Sequence, residues 1–298
     1  MRIVADNLTF TYNPKSKFGV QALKGVSLTI EEGEFFGLIG HTGSGKSTFV
    51  QHLNGLLRCS GGTLDIGDYH LADRKCDFLE LRSRVGMVFQ YPEYQLFAET
   101  VTKDVEFGLR NFRKDMKEEE RRGAVAEALR ITGLDIDEVG EKSPFELSGG
   151  QRRRVAIAGV IVTKPEILIL DEPAAGLDPL GKQELMGLLH EIHGSWCRTV
   201  VIVSHDMDEI AENCTHAAVF EDGKIALRGT PPEVFRHWDE LSSMGLDVPV
   251  TAKCARLLAQ RGYGVETDFT CDNFVAEVVK LYKNRKRGDA ETGGQAGE

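Results

Sequence analysis

The residues best placed to do chemistry cluster in Gly40-His41-Thr42-Gly43-Ser44-Gly45-Lys46-Ser47, followed by Thr48. The run fits the spacing G-x-x-x-x-G-K-[ST]. Its glycines let the backbone curl until successive N–H groups converge on a phosphate. A helix starting at that point adds the positive end of its dipole. Lys46 is then expected to reach β- and γ-phosphates, and the Ser47 hydroxyl to ligate Mg²⁺. A second cluster, Asp171-Glu172, follows the apolar run Ile167-Leu168-Ile169-Leu170. Carboxylates at the end of a buried strand would sit beside the phosphate loop, Asp171 holding Mg²⁺ through water and Glu172 orienting and deprotonating an attacking water. Apart from the loop, such a pair would be an ordinary acidic strand end. The third cluster is Leu147-Ser148-Gly149-Gly150-Gln151. Ser148 can cap the helix that follows, and the glycines leave backbone N–H groups bare. It is either an ordinary capped turn or a second phosphate-binding helix end. One nucleotide does not need two such ends, so the second reading implies a head-to-tail pair in which this corner closes over a nucleotide held by a partner.

These residues need a frame. Arg2 to Thr11 and Ala22 to Ile30 alternate as strands do, and Phe35 to Ile39 is the continuous apolar run of a buried strand. Lys46 to Leu57 has helical spacing and stops near Cys59-Ser60-Gly61-Gly62. Residues 85 to 89 form another short strand, and Thr100 to Val162 reads as mostly helical. Ile167 to Leu170 and Thr199 to Val203 are buried strands flanking a helix over Pro179 to His193, which implies a parallel sheet covered on both faces. Ala217 to Phe220 and Lys224 to Leu227 read as a hairpin across Glu221-Asp222-Gly223. After Thr230-Pro231-Pro232, short helices over Pro232 to His237, Thr251 to Gln260 and Asn273 to Lys283 form a small appendage, and Arg285 to Glu298 reads as a disordered tail.

Composition narrows the classes. The chain has 298 residues, 46 acidic against 36 basic, and a net charge of −10. That is one main domain with appendages, and it opposes a general nucleic-acid binder. No apolar run is long enough for a transmembrane helix, and the N-terminus lacks the apolar core of a secretory signal. The six cysteines are dispersed with no Cys-x-x-Cys pair, which opposes a zinc site or a disulfide framework.

Taken in order, the three clusters resemble the Walker A, Walker B and signature motifs of the ATP-binding cassette (ABC) ATPases, over about residues 1 to 230. The resemblance implies a P-loop NTPase fold of the α/β class, with a mixed sheet core, an antiparallel β subdomain and a helical subdomain at about 91–162. It implies ATP and Mg²⁺ as ligands, with Ser47, Gln90 and Asp171 around the metal. Tyr12 matches the aromatic residue on which adenine stacks, and Gln90, after Val88-Phe89, matches the glutamine that senses Mg²⁺ and a membrane partner. Gly176-Leu177-Asp178 matches the D-loop, and His205, after Val203-Ser204, the histidine that contacts the γ-phosphate.

A finer resemblance is to the ATPases of energy-coupling factor (ECF) transporters. It rests on Gln51-His52-Leu53-Asn54-Gly55-Leu56-Leu57, on Phe89-Gln90-Tyr91-Pro92-Glu93-Tyr94-Gln95-Leu96-Phe97, and on Ser143-Pro144-Phe145-Glu146. Tyr12-Asn13-Pro14-Lys15 with Phe18 resembles the second of the two paired ATPases in such systems. The likeness continues through Gly229 to Phe235 and Gly245-Leu246-Asp247-Val248-Pro249, and it implies that the 231–284 helices help hold two ATPases together. It also implies a peripheral protein on the cytoplasmic face of the cell membrane. Its partners would be a second ATPase, an integral membrane scaffold near Gln90 to Phe97, and indirectly a substrate-binding membrane protein for a vitamin or other micronutrient. Ala174 departs from the usual Thr or Ser, and Arg153 stands where many ABC proteins carry Gln.

Other readings compete at several points. Phe89, Tyr91, Tyr94, Leu96 and Phe97 either form a docking surface or pack the core under the helical subdomain. Arg152-Arg153-Arg154 either forms a phosphate or nucleic-acid patch or lines the start of the signature helix, partly facing a partner's nucleotide and partly solvated. Lys283, Arg285, Lys286 and Arg287 either touch anionic lipid or end a solvated helix. Among functions, a DNA- or ribosome-directed ABC ATPase is opposed by the acidic balance and by the short span from Lys46 to Asp171, which leaves no coiled-coil arm. A P-loop kinase or GTPase is opposed by the signature motif and the absence of Asn-Lys-x-Asp. An ATPase of a conventional importer, or of a cobalt or nickel importer, is the alternative within the class.

Overall fold

The computed structural model describes residues 1–292, with side chains through residue 284. The chain runs β1 (Ile3–Tyr12), β2 (Val20–Ile30), β3 (Phe35–Ile39), α1 (Lys46–Leu53), β4 (Gly61–Ile66), β5 (Tyr69–His70), α2 (Phe78–Arg84) and β6 (Val85–Val88). A helical region follows: α3 (Val101–Phe112), α4 (Glu118–Ile131), α5 (Ile136–Val139) and α6 (Gly149–Ile161). Then come β7 (Ile167–Asp171), α7 (Pro179–Ser195), β8 (Thr199–Val203), α8 (Met207–Asn213), β9 (His216–Glu221) and β10 (Lys224–Gly229). Four helices close the described chain: α9 (Pro231–Phe235), α10 (Trp238–Ser243), α11 (Val250–Gln260) and α12 (Cys271–Thr292).

The main sheet has the order β10-β9-β3-β8-β7-β6. Its strands are parallel except β10, which returns antiparallel on β9. Side chains alternate between the two faces of a strand, and both faces here are apolar. Phe35, Ile39, Leu168, Leu170, Val200, Ile202 and Val219 join one core with the helical region and α7. Phe36, Leu38, Ile167, Ile169, Val201, Val203 and Phe220 join the other, with α1 and the smaller sheet. That smaller sheet is antiparallel, in the order β2-β1-β4-β5. Burying a Phe or Leu on either face stabilises by about 1.5–3 kcal/mol.

Several elements differ from the sequence reading. α1 stops at Leu53, short of Leu57, because the Asn54 side chain turns to donate to Val85 O (2.6 Å) and Gly55 N donates back to His52 O (2.8 Å). The short elements β4, β5, α2, α8 and α10 carry too few residues to show a period. The appendage shares the first core through Val234, Phe235, Leu241, Val248 and Ala252. It is also tied to α8, with Val250 N donating to Asp208 Oδ1 (2.8 Å) and Cys271 N to Glu212 Oε1 (2.5 Å). α12 takes in the first part of the stretch that composition marks as a disordered tail; residues 293–298 lie outside the described residues.

Candidate active site

The loop from Gly40 to Gly45 joins β3 to α1. Gly40 sits at φ +150, where an added Cβ would lie 2.4 Å from Phe220 O and 2.7 Å from Ser44 Oγ. Only a residue without a side chain lets the loop lie this close to β9. Lys46 is buried, and its Nζ donates to Gly40 O (2.5 Å), His41 O (2.9 Å) and Ser44 Oγ (3.4 Å). Burial pushes its pKa down, while the Glu172 and Asp171 carboxylates pull it up. The ammonium is therefore held inside the loop between backbone oxygens and two acids.

Those acids arrive by strand register. Val88 pairs with Leu170, and Asp171 with Val203, in parallel neighbours. Gln90, Asp171, Glu172 and His205 therefore leave β6, β7 and β8 at the same carboxyl edge, where open parallel sheets bind ligands. Burial pushes the Asp171 carboxyl up, opposed chiefly by a hydrogen bond from Ser47. Glu172 adopts φ +49, a left-handed conformation that costs a non-glycine residue about 1–3 kcal/mol. Its Oε2 accepts from Gln90 Nε2 (2.7 Å) and lies 3.5 Å from His205 Nδ1. The His205 side chain is 71% exposed.

Gly40, Lys46, Gln90, Asp171, Glu172 and His205 line one cleft of about 1260 Å³, together with His41, Thr42, Gly43, Gly45, Ser47 and Thr48. Ser44 is buried beneath the loop. Tyr12 lines the same cleft, its hydroxyl 3.2 Å from Thr48 Oγ1 and its ring edge-to-face with Phe10 at 4.8 Å. Three lining segments and one further residue, Met207, were missed from sequence: Gly19 to Ala22 with Lys24, Asp222-Gly223, and Gly245 to Asp247 of the appendage. The first two meet in an ion pair between Lys24 and Asp222, residues far apart in the chain. No local pattern signals such a pairing.

Ser148, Gly149, Gly150 and Gln151 are not among the residues lining this cleft. Ser148 caps α6 reciprocally: its Oγ accepts from Gln151 N (3.3 Å), and Gln151 Oε1 accepts from Ser148 N (3.1 Å). Ser148, Gly149 and Gly150 are exposed, and nothing lies within 4 Å of a Cβ added at either glycine. Asp178, after Gly176-Leu177, caps α7 by accepting from Gly181 N (2.7 Å). The arginine run requires a correction at its centre. Arg153 is buried, and its guanidinium donates to Pro173 O and, at 2.8 Å, to Ala175 O. Arg154 pairs with Glu184 across the surface (2.7 Å).

A family model described as ABC transporter matches residues 23–175. The energy-coupling factor transporter ATP-binding protein EcfA2 of Clostridium tetani is 45% identical over 96% of this chain and 99% of its own length. That of Caldanaerobacter subterraneus subsp. tengcongensis is 48% identical over 96% of this chain and 99% of its own. The chain belongs to the ABC family, among its energy-coupling factor ATPases. Solved structures agree with this ABC ATPase in fold. CbiO1 from Clostridium perfringens, part of the ABC transporter complex cbiONQ, superimposes with a TM-score of 0.70 at 38% identity, over 85% of this chain and 97% of its own. The dimeric cassette MJ0796 in a post-hydrolysis state with ADP and Pi superimposes with a TM-score of 0.69 at 31% identity, over 77% of this chain and 98% of its own.

The ABC ATPase also presents an aromatic face beyond Gln90. Tyr91, Tyr94, Phe97 and Phe107 are exposed, whereas Pro92 and Leu96 are buried. The segment thus packs inward only at Pro92 and Leu96, and the exposed rings do not pack the core. Beside it, a groove of about 280 Å³ is lined by Leu56, Phe89, Leu96, Phe97, Phe107 and Val160, among others. No helix among the described residues is long and apolar enough to cross a membrane.

Proposed function

We propose that this ABC ATPase hydrolyses ATP at sites shared between two subunits and so drives an importer of a vitamin or other micronutrient. The observation that carries this reading is the separation of the two phosphate-binding ends. The cleft around Lys46 holds every expected catalytic side chain, while the Ser148 corner is exposed and lines none of it. A second subunit supplies the missing corner. ATP then bridges the pair, and its affinity for the closed state is the source of work.

Within the cleft, Tyr12 stacks on the base, and the loop from Gly40 to Thr48 holds the phosphates with Lys46. Glu172 takes the proton of the attacking water, held in place by its bond to Gln90. His205 reaches the γ-phosphate from the exposed edge. Ser47, Gln90 and Asp171 would hold Mg²⁺, which neutralises phosphate charge when bound; the raised Asp171 carboxyl and its Ser47 bond make a donor set that fits a hard cation. The partner's Ser148, Gly149, Gly150 and Gln151 close over the triphosphate. An integral membrane scaffold docks against Tyr91, Tyr94 and Phe97, and a separate membrane protein chooses the cargo. The helices of 231–284 hold the ATPases together through exposed Leu257, Val275 and Val279. The chain works as a peripheral protein on the cytoplasmic face.

The test pairs two variants. Glu172→Gln should lower ATP turnover by about 10²–10⁴-fold and accumulate an ATP-dependent dimer on size exclusion. Ser148→Arg should keep ATP binding in the cleft but form no such dimer. Normal turnover in Glu172→Gln, or an ATP dimer in Ser148→Arg, would overturn the shared site.

A further inference from the structure

Arg153 has no role in the site described above, yet its environment is specific. It lies in the first turns of α6 and is buried, and it spends its guanidinium on two backbone carbonyls, Pro173 O and Ala175 O. Both belong to the turn that directly follows Glu172. That turn is short of support from regular structure: its own bonds are Ala175 N to Glu172 O (3.1 Å) and Leu177 N to Ala174 O (3.1 Å). Glu172 itself is held at φ +49, which persists only where the surroundings over-determine it. A planar, always-charged fork bonding two carbonyls of one turn is such a constraint.

The other side of Arg153 faces the segment after Gln90. The turn Pro92–Gln95 packs against α6. Glu93 Oε2 is buried there with no hydrogen-bond partner, and Arg153 Nε is likewise buried and unpartnered. Burial lowers the guanidinium pKa, and Glu93 followed by Tyr91 are the groups that raise it back. One buried cation thus has its hydrogen-bond acceptors on the turn after Glu172 and its electrostatic support on the aromatic segment.

We propose that Arg153 is a positioning residue for Glu172, and that through Glu93 it transmits displacement of the 91–97 segment to the catalytic turn. This rests on the reading of Glu172 as the base. A charge-supported link suits the task because attraction between two charges in a partly desolvated site acts beyond contact distance, so each group loses support when the other moves. A shift of the turn by about 1 Å is then sufficient, since misplacing a catalytic group by that much can cost about 10²-fold in rate.

The experiment measures ATP turnover and fluorescent-nucleotide binding for the full chain carrying Arg153→Lys, Arg153→Met, Glu93→Gln, or Glu93→Gln with Arg153→Met. Arg153→Met should lower kcat by about 10–100-fold with KM and nucleotide affinity within about 2-fold. Arg153→Lys should recover part of the loss. The double variant should turn over no more slowly than Arg153→Met alone, because Glu93 acts through Arg153. Unchanged kcat in Arg153→Met would overturn the proposal, as would loss of nucleotide binding together with kcat, which marks a merely structural residue. Losses that multiply in the double variant would overturn the relay through Glu93. Should Glu172→Gln alone keep normal turnover, the assignment of the base falls, and that result is read separately from the Arg153 series.

Discussion

The phosphate loop offers a direct comparison between two glycines. Both Gly40 and Gly43 have positive φ, at +150 and +83, but their surroundings differ. Placing an L side chain in such backbone costs about 1–2 kcal/mol. At Gly43 that is the whole expected penalty for Gly43→Ala, because nothing lies within 4 Å of the added Cβ. At Gly40 the added Cβ would meet Phe220 O at 2.4 Å. This oxygen is backbone of β9, whose Ala217, Ala218, Val219 and Phe220 are fully buried, so it cannot step aside as a flexible side chain would. Overpacking of that kind adds about 1–3 kcal/mol. Gly40→Ala should therefore lose about 2–5 kcal/mol and Gly43→Ala about 1–2 kcal/mol. Gly40 O is also a hydrogen-bond acceptor for Lys46 Nζ (2.5 Å), so the same displacement should weaken nucleotide binding. Urea unfolding of both variants without nucleotide, followed by fluorescent-nucleotide titration, measures the two effects. Equal destabilisation of the two variants would refute the steric argument, because the backbone term is common to both.

Three further outcomes are expected. Asp171 has a folded-state pKa raised by burial above its usual 3.8; the stability it contributes is complete below that value and lost as pH rises through the raised one. Asp171→Asn should therefore melt at a higher temperature than the parent at about pH 7.5, with the two curves converging toward about pH 4, and it should abolish ATP turnover; a lower melting temperature at neutral pH would contradict the sign. Tyr12→Ala should weaken ATP binding by about 1–3 kcal/mol, the value of an aromatic–base stack, whereas Tyr12→Phe keeps the ring and should bind nearly normally; equal losses by calorimetry would assign the effect to the Thr48 bond instead. Tyr94, 81% exposed, can be changed to Asp with a stability change within about 0.5 kcal/mol, while recovery with membrane proteins in affinity purification should fall; undiminished recovery would move the docking face elsewhere.

The sequence was most legible where short-range pattern and chemistry coincide. Phe35 to Ile39, Ile167 to Leu170 and Thr199 to Val203 are continuous apolar runs because both faces of the parallel sheet are covered, and their ends carry the loop, the acids and the histidine. The capping of α6 by Ser148 was readable for the same reason: the Ser-x-x-Gln spacing is a local hydrogen-bond pattern. Long-range contacts left no such trace. Arg153 reads as one charge in a basic run, and only the folded chain shows that it is buried against the turn after Glu172. The same holds for Gly245 to Asp247, which join the cleft because the appendage packs onto α8. The end of α1 was misplaced because periodicity continues to Leu57, while the side-chain bond from Asn54 to Val85 that turns the chain is tertiary.

The charges of the cleft predict that a polyphosphate and a divalent cation bind better together than either does alone. Lys46 is disfavoured by burial and supported by Glu172 and Asp171; Asp171 is disfavoured by burial and supported by Ser47 and Lys46. A polyphosphate entering alone would gain Lys46 and the loop but would bring its negative charge toward two carboxylates in a partly desolvated site, where like charges repel more strongly than in water. A divalent cation entering alone would gain the carboxylates but oppose the lysine. Entering as a pair, each neutralises the field that rejects the other. On the proposed roles Glu172 is then the acid left to accept a proton, at a φ of +49 beside its bond to Gln90 and the turn to which Arg153 donates. The electrostatic logic that would select the ligand would thus also leave the proposed base unspent for the chemistry.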